Sequence, residues 1–313
     1  MTLLELLHSV VRRALLFRGV ESRLEAVAGH TVHFYRLKKK GTPSGPPVVL
    51  VHGLGGNANG FARLLLGLAA RFPSVYALDL PGNGFSPLPP SGPLALEEHL
   101  VVLETFCRTV VKERPLLVGN SLGGALVLTL AAKSPEVVRA VGLLAPAGAR
   151  LPPARFSEMM GHLEVHTVRD GLTFTRRLFH RTPVTALLFA TQMVKVHNTP
   201  AVKAIRAKAT VEDFLSPETL ARVVAPTLLL WGGSEKLLPQ EMLAYFRRHL
   251  PGTARIEVVE GVGHVPQMER PAEVVRRLTD FAEQAGLLHV TPKASPASGP
   301  SGESGSTRVP SRA

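Results

Sequence analysis

The chain has 313 residues, of which 45% are hydrophobic, and that length suits one large α/β domain or such a domain with an inserted subdomain. Its single cysteine, Cys107, excludes an intrachain disulfide and any cysteine-based metal cluster, and we expect it to pack in a helix face. The formal net charge of +12 favours anionic partners such as a membrane surface, and a merely basic solvated surface is the alternative explanation. Because only 5% of the residues are aromatic and the arginines are scattered, we predict no nucleic-acid binding.

The first predicted element is an amphipathic helix over residues 2–18. Its charged residues Glu5, Arg12 and Arg13 lie apart from an apolar helical face formed by Leu3, Leu4, Leu7, Val10, Val11, Ala14 and Leu15. The apolar run is too short and too charged to span a bilayer, and it lacks the features of a signal peptide. The helix therefore either docks on the domain or makes peripheral contact with a membrane. We expect a cytoplasmic location, with membrane association left open.

Strands and helices then alternate. Two strands around a turn at Ala28-Gly29-His30 are predicted within residues 22–38. They are followed, in order, by strand Val48–Val51, helix Asn59–Arg71, strand Val75–Asp79, helix Leu96–Glu113, strand Leu116–Val118, helix Gly124–Ala132 and strand Val138–Leu144. Continuous apolar strands separated by helices predict an α/β fold, with a mostly parallel central sheet flanked by helices.

The alternation breaks between residues 149 and 223. This stretch has no strong strand and contains helical patches at Phe156–His166, Leu172–Phe179 and Thr185–Val196. The alternation resumes with strand Thr227–Trp231, helix Pro239–Leu250, strand Arg255–Val259, loop Glu260–Arg270 and helix Ala272–Ala285. We therefore predict an N-terminal helix in residues 1–21, a core of residues 22–148 and 224–288, and a helical insertion over 149–223. The Pro/Ser/Gly-rich tail, residues 289–313, is predicted to be disordered.

The most informative stretch is Leu116–Leu130, with the sequence LLVGNSLGGALVLTL. It predicts a strand, a sharp turn with Ser121 at its apex, and a helix. Gly119 and Gly123 flank the serine, as a G-x-S-x-G nucleophile elbow requires, because side chains at those positions would collide with neighbouring backbone. The following helix points its N-terminal N–H groups at the reacting centre. Ser121 is therefore the candidate nucleophile.

A serine nucleophile needs a base, and the base works best when a carboxylate orients it. His264, in the glycine-rich loop GVGHVP after a buried strand, is the candidate base. Glu235, in the loop WGGSEK after the preceding strand, is the candidate acid, and the order Ser…Glu…His suits such a triad. Asp213 is the competing acid, although it follows no strand. A surface ion pair is the alternative role for Glu235.

The negative charge that develops on the substrate oxygen needs backbone N–H donors. Leu122, directly after the serine, supplies one of them. The other is assigned to Leu54, in the glycine-rich sequence His52-Gly53-Leu54-Gly55-Gly56, where Gly53 allows close backbone approach. A tight strand-to-helix turn would by itself also explain these glycines.

The motifs HGLGG, DLPGNGFS, GNSLGG, WGGSEKLLP and GVGHVPQ occur in this order, and with them residues 22–288 resemble the α/β-hydrolase family. The resemblance implies that the insertion is a helical cap over the site and that no metal or organic cofactor is needed. Many members have aspartate where this chain has Glu235. Serine rather than aspartate at position 121 argues against epoxide opening and halide displacement.

The leading hypothesis is a serine hydrolase of carboxylic esters, an esterase or lipase with acylglycerols among its possible substrates. Apolar candidates for an acyl pocket are Met159, Met160, Leu187, Leu188, Phe189 and Met193, and Arg176, Arg177 and Arg181 are candidates for holding a carboxylate or a headgroup. Asn120 resembles the residue beside the nucleophile in carbon–carbon bond hydrolases of the meta-cleavage type, which is the alternative. A non-catalytic binding protein is the third hypothesis. The oligomeric state is left open.

Overall fold

The computed structural model describes residues 3–39, 44–210 and 213–288. These residues contain one sheet of eight strands. Its spatial order is β1-β2-β4-β3-β5-β6-β7-β8. The strands are β1 (Glu21–Val27), β2 (His30–Lys38), β3 (Val48–Val51), β4 (Ser74–Leu78), β5 (Leu116–Asn120), β6 (Ala140–Leu144), β7 (Thr227–Gly232) and β8 (Arg255–Val259). β2 pairs antiparallel with β1 and β4, and the other pairs are parallel. The predicted α/β fold is confirmed.

Helices cover both faces of this sheet. Before β6 they are α1 (Leu3–Phe17), α2 (Ala62–Leu68), α3 (Leu96–Phe106) and α4 (Leu122–Lys133). After β6 they are α5 (Pro153–His162), α6 (Val168–Leu178), α7 (Ala186–His197), α8 (Pro200–Lys208), α9 (Pro217–Ala221), α10 (Gln240–His249), α11 (Pro266–Glu269) and α12 (Pro271–Gln284). α1, α2 and α12 contribute to one apolar core, and α3, α4 and α10 contribute to the other.

The inner strands are apolar on both faces because both are covered. Along β3, Val48 and Leu50 belong to one core and Val49 and Val51 to the other, since successive side chains of a strand point to opposite faces. All four are fully buried. β5 lies between β3 and β6, so the end of β5, where Ser121 follows, is surrounded by the ends of neighbouring parallel strands.

Several element boundaries differ from the predicted ones. The helix predicted from residue 59 begins as a 3₁₀ turn at Ala58–Phe61, and α3 continues as one π turn, Cys107–Val111. α8 was not predicted, and α11 lies within the stretch predicted as a loop. The predicted disordered tail lies outside the described residues. Cys107 is buried, and burial raises the pKa of its thiol to about 12, which fits the predicted packing role.

Helices α5–α8 lie on an excursion of the chain after β6, and α9 follows the point where the chain returns. The two ends of this excursion meet, because the backbone N–H of Leu215 donates to the carbonyl of Gly148 at 2.8 Å and Ala149 bridges to Leu215. The excursion therefore leaves the sheet and returns to it at one point. Within the described ranges, no helix has both the length and the apolar character that crossing a membrane requires.

Candidate active site

Ser121 occupies a sharp turn between β5 and α4. Its φ of +54° and ψ of −119° are strained for a residue with a side chain. The turn is held by its neighbours, because the Ser121 carbonyl accepts from the N–H groups of Gly124, Ala125 and Ala147 at 2.9, 3.2 and 3.0 Å. The predicted elbow conformation is therefore present in the backbone.

The two glycines of the elbow lie where no side chain fits. A Cβ on Gly119 would lie 2.3 Å from the carbonyl oxygen of Gly123, and a Cβ on Gly123 would lie 2.3 Å from the carbonyl oxygen of Val51. Both obstacles are backbone atoms, which cannot rotate away as a side chain can. The glycines thus allow β3, β5 and the start of α4 to approach closely around Ser121.

His264 and Glu235 are in contact. The Nδ1 atom of His264 lies 2.8 Å from Oε2 of Glu235, and both side chains are buried. The other carboxylate oxygen, Oε1, accepts from the backbone N–H groups of Leu237 and Leu238 at 2.7 and 3.1 Å. These bonds hold the carboxylate in one orientation toward the ring. Asp213, the competing acid, is exposed and accepts from the backbone N–H of Thr210.

Asn120 ties the histidine loop to the sheet. Its buried Nδ2 donates to the carbonyl of Leu144 at 2.8 Å and to the carbonyl of His264 at 3.1 Å. Its Oδ1 accepts from Nε2 of Gln267 at 3.0 Å. Because every polar atom of this amide contacts the protein, Asn120 has a structural role here. The motif GNS alone did not reveal that role.

The loop after β3 lies against the elbow. A Cβ on Gly53 would lie 3.0 Å from the Cβ of Ser121. His52 is buried, its Nδ1 donates to the carbonyl of Gly53, and its Nε2 accepts from the N–H of Leu80. Burial lowers the pKa of His52, which favours this neutral form. Of the two predicted donors, Leu54 lies in the wall of the cavity that contains Ser121, and Leu122 is the first residue of α4, directly after Ser121.

A cavity of about 370 Å³ contains Ser121 and His264 in its wall. Most of its lining is apolar, and α6 and α7 supply one side with Phe174, Leu178, Leu188, Phe189, Met193 and Val196. Three of the predicted acyl-pocket residues, Leu188, Phe189 and Met193, therefore do line it. The other predictions were wrong: Met159 and Met160 pack on the sheet core, and Leu187 is exposed. The candidate arginines Arg176, Arg177 and Arg181 do not line the cavity.

Helix α1 supplies another part of the cavity wall, through Leu7, His8 and Val11. Leu15 is buried in the core beside α2 and α12, and Nδ2 of Asn57 donates to Nε2 of His8 at 3.2 Å. Burial lowers the pKa of His8, in keeping with its acceptor role. Of the two alternatives for this helix, docking on the domain is therefore observed.

Glu269 was not identified from the sequence, although it joins the histidine loop to the end of α6. Its Oε2 accepts from the backbone N–H of Gly263 at 2.6 Å, and its Oε1 accepts from that of His180 at 2.8 Å. The N–H of His264 also donates to the carbonyl of Leu178 at 2.9 Å. A Cβ on Gly263 would lie 2.7 Å from that carbonyl oxygen, so only glycine allows this approach.

Exchanging Glu269 for glutamine should lower kcat for any reaction that uses His264, by about 10- to 100-fold, with a smaller change in KM. The amide NH₂ group would face one of two backbone N–H donors, so one of them would lose its acceptor. The measurement is kcat and KM, together with thermal unfolding. Glu273→Gln on α12 is the matched control, since Glu273 pairs with Arg276 and Arg277 instead. Equal losses in both variants would contradict a positioning role for Glu269.

In residues 3–39, 44–210 and 213–288, no group of three or more His, Cys, Asp or Glu side chains is placed to hold a metal ion. The arrangement joins a serine on a strained turn and a carboxylate-oriented imidazole around an apolar cavity. Such a set can transfer an acyl group through a covalent intermediate.

Comparison with known proteins agrees with this fold. The chain is 27% identical over 248 residues to the pimeloyl-[acyl-carrier protein] methyl ester esterase of Neisseria meningitidis serogroup C, which covers 75% of this chain and 93% of that protein. It is 27% identical over 244 residues to Lipase 1 of Psychrobacter immobilis, which covers 74% and 75%. The crystal structure of a membrane phospholipase A superposes with a TM-score of 0.77 at 24% identity, covering 90% of this chain and 92% of that one.

The family model described as the alpha/beta hydrolase fold matches residues 46–271. The match spans β3 to the start of α12 and includes the serine, acid and histidine loops. It therefore covers well over half of the chain. The chain belongs to the alpha/beta hydrolase family.

Proposed function

We propose that the protein is a serine hydrolase of carboxylic esters that acts through an acyl-enzyme on Ser121. The observation that carries this proposal is the 2.8 Å contact between His264 Nδ1 and the buried carboxylate of Glu235. A carboxylate at Nδ1 favours the tautomer with its proton on that nitrogen, which leaves Nε2 free to take the hydroxyl proton of Ser121. Ser121 and His264 share one cavity wall, in support of that transfer.

The proposed reaction has two halves. Ser121 Oγ attacks the ester carbonyl while His264 takes its proton, and the carbonyl oxygen accepts hydrogen bonds from the N–H groups of Leu54 and Leu122. His264 then gives the proton to the departing alcohol, which leaves an acyl group on Ser121. A water molecule then gives a proton to His264 and attacks this ester, and His264 returns the proton to Ser121 Oγ as the acid departs. Glu235 stabilises the imidazolium formed in both halves.

The cavity supports an apolar acyl group as the substrate part bound next to Ser121. Its lining from α6, α7 and α1 is largely apolar, and burial of each methylene there contributes about 0.8 kcal/mol. We further propose that α5–α9 act as a cap, because α6 and α7 form one wall of the cavity and the carbonyl of Leu178, at the end of α6, accepts from the N–H of His264. Relatives named as a methyl ester esterase and a lipase support ester chemistry.

A series of p-nitrophenyl esters from acetyl to palmitoyl tests the proposal, with Ser121→Ala as the background and a fluorophosphonate to label the serine. We expect turnover and labelling in the wild type and neither in the variant. The acyl chain length with the highest turnover would indicate the length of the acyl-binding part of the cavity. Labelling without ester turnover would instead favour carbon–carbon bond hydrolysis or acyl transfer. Absence of both would favour a non-catalytic binding protein.

A further inference from the structure

The outward side of α1 carries an apolar stripe that the fold leaves exposed. Leu6, Val10 and Phe17 expose 43%, 53% and 94% of their surface. Their spacing places them within about 40° of one another around the helix axis, at 100° per residue. Leu15 and Val11 lie on the opposite side, where they pack on the domain. The stripe therefore has no part in docking α1.

A second exposed apolar group lies at the start of α7. Val184 is fully exposed and Leu187 exposes 63% of its surface. The same helix supplies Leu188, Phe189 and Met193 to the cavity wall. α1 likewise presents its stripe outward and Leu7, His8 and Val11 to the cavity. Both helices therefore border the cavity that contains Ser121, and each carries an exposed apolar group.

Several exposed cations lie on or next to these two helices. Arg13 and Arg18 are exposed on and just after α1, and Arg181 and Lys195 are exposed before and on α7. The whole chain has a formal net charge of +12. A second copy of this chain would bring like charges together at this face. A surface of anionic lipid instead offers acyl chains to the apolar side chains and phosphates to the cations.

We propose that α1 and the start of α7 bind an anionic lipid surface, so that the cavity opens toward the lipid. The apolar stripe enters the boundary between headgroups and acyl chains, and the arginines remain at the headgroups. Lipid binding by this face is independent of the chemistry at Ser121. The further inference that this binding delivers membrane-embedded esters to Ser121 rests on the proposed function.

Flotation with vesicles tests the binding, using full-length Ser121→Ala protein so that no lipid is hydrolysed. The vesicles contain phosphatidylcholine alone or with about a third phosphatidylglycerol, and salt is varied because it screens the headgroup attraction. We expect binding to the anionic vesicles that weakens with salt. Val10→Asp and Phe17→Asp should each lower the partition coefficient by about tenfold or more.

Val101→Asp is the matched control, because Val101 on α3 exposes 54% of its surface and Val10 exposes 53%. This substitution introduces the same charge at an equally exposed valine. The variant protein should bind vesicles as the parent protein does. An equal loss in Val101→Asp, or binding to neither vesicle by the parent protein, would overturn the proposal. So would conversion from dimer to monomer in Val10→Asp without lost vesicle binding, which would assign the stripe to self-association.

A second measurement connects binding to turnover in the protein with Ser121 intact. The rate on a long-chain ester embedded in anionic vesicles is divided by the rate on a dispersed short-chain ester. We expect Val10→Asp to lower this ratio by about tenfold and Val101→Asp to leave it near the parent value. If neither ester is hydrolysed, the proposed function fails while flotation still decides the binding. An unchanged ratio with lost flotation would refute delivery from the membrane.

Discussion

Glu235→Gln should lower kcat for ester hydrolysis by about 10³- to 10⁴-fold while leaving the fold intact. Glutamine has nearly the shape of glutamate, and its oxygen can still accept from the N–H groups of Leu237 and Leu238. The amide NH₂ would then face Nδ1 of His264, where the carboxylate oxygen now lies 2.8 Å away. A donor there favours the tautomer with its proton on Nε2, which cannot accept the proton of Ser121.

The measurement is kcat on the preferred p-nitrophenyl ester, with circular dichroism to verify the fold. Asp213→Asn is the control, because Asp213 is the other carboxylate considered from the sequence and is exposed. It should change kcat by less than about twofold. Retained activity in Glu235→Gln together with loss in Asp213→Asn would reverse the assignment of the acid.

Gly123→Ala should lower the free energy of unfolding by about 3 kcal/mol and the melting temperature by about 5 °C or more. The added Cβ would lie 2.3 Å from the carbonyl oxygen of Val51 and 2.6 Å from that of His52. Relief requires α4 to move away from β3, and that movement would also separate the N–H groups of Leu122 and Leu54. We therefore expect activity to fall even at temperatures where the variant is folded.

Gly161→Ala separates this effect from the general cost of replacing glycine. Gly161 lies in α5, and a Cβ there meets no atom within 4 Å. Alanine at this position should raise the free energy of unfolding by up to about 1 kcal/mol, since it is the better helix former. Thermal unfolding of both variants checks the pair. A Gly123→Ala protein as stable as the parent would show that the backbone around the elbow can relax.

The sheet and the candidate active site could be predicted because local sequence patterns indicate them. Ser121, Glu235 and His264 each follow an apolar strand, and the carboxyl ends of parallel strands meet at one edge. The elbow glycines were identifiable because their requirement lies within a few residues of the serine. The structure brings Glu235 and His264 into contact and lines one cavity with Ser121 and His264.

Other features depend on contacts that periodicity cannot report. An amphipathic helix has an apolar face in its sequence, but the sequence does not say whether that face meets the sheet core, as Met159 does, or the cavity, as Met193 does. Glu269 lies in a helix of four residues, too short for a periodic signal. Its partner His180 is 89 positions away. The two apolar sides of α1 likewise become distinct only once α1 is packed.

The bonds between α6 and the histidine loop set a condition for building chimaeras of this protein. The segment that carries α5–α8 leaves and rejoins the sheet at one point, so it could be exchanged for the equivalent segment of a relative. The transplanted segment must nevertheless present a backbone carbonyl to the N–H of His264 and a backbone N–H to Glu269. These helices are therefore not a freely exchangeable module, because the transplant and the loop that carries His264 have to be chosen together.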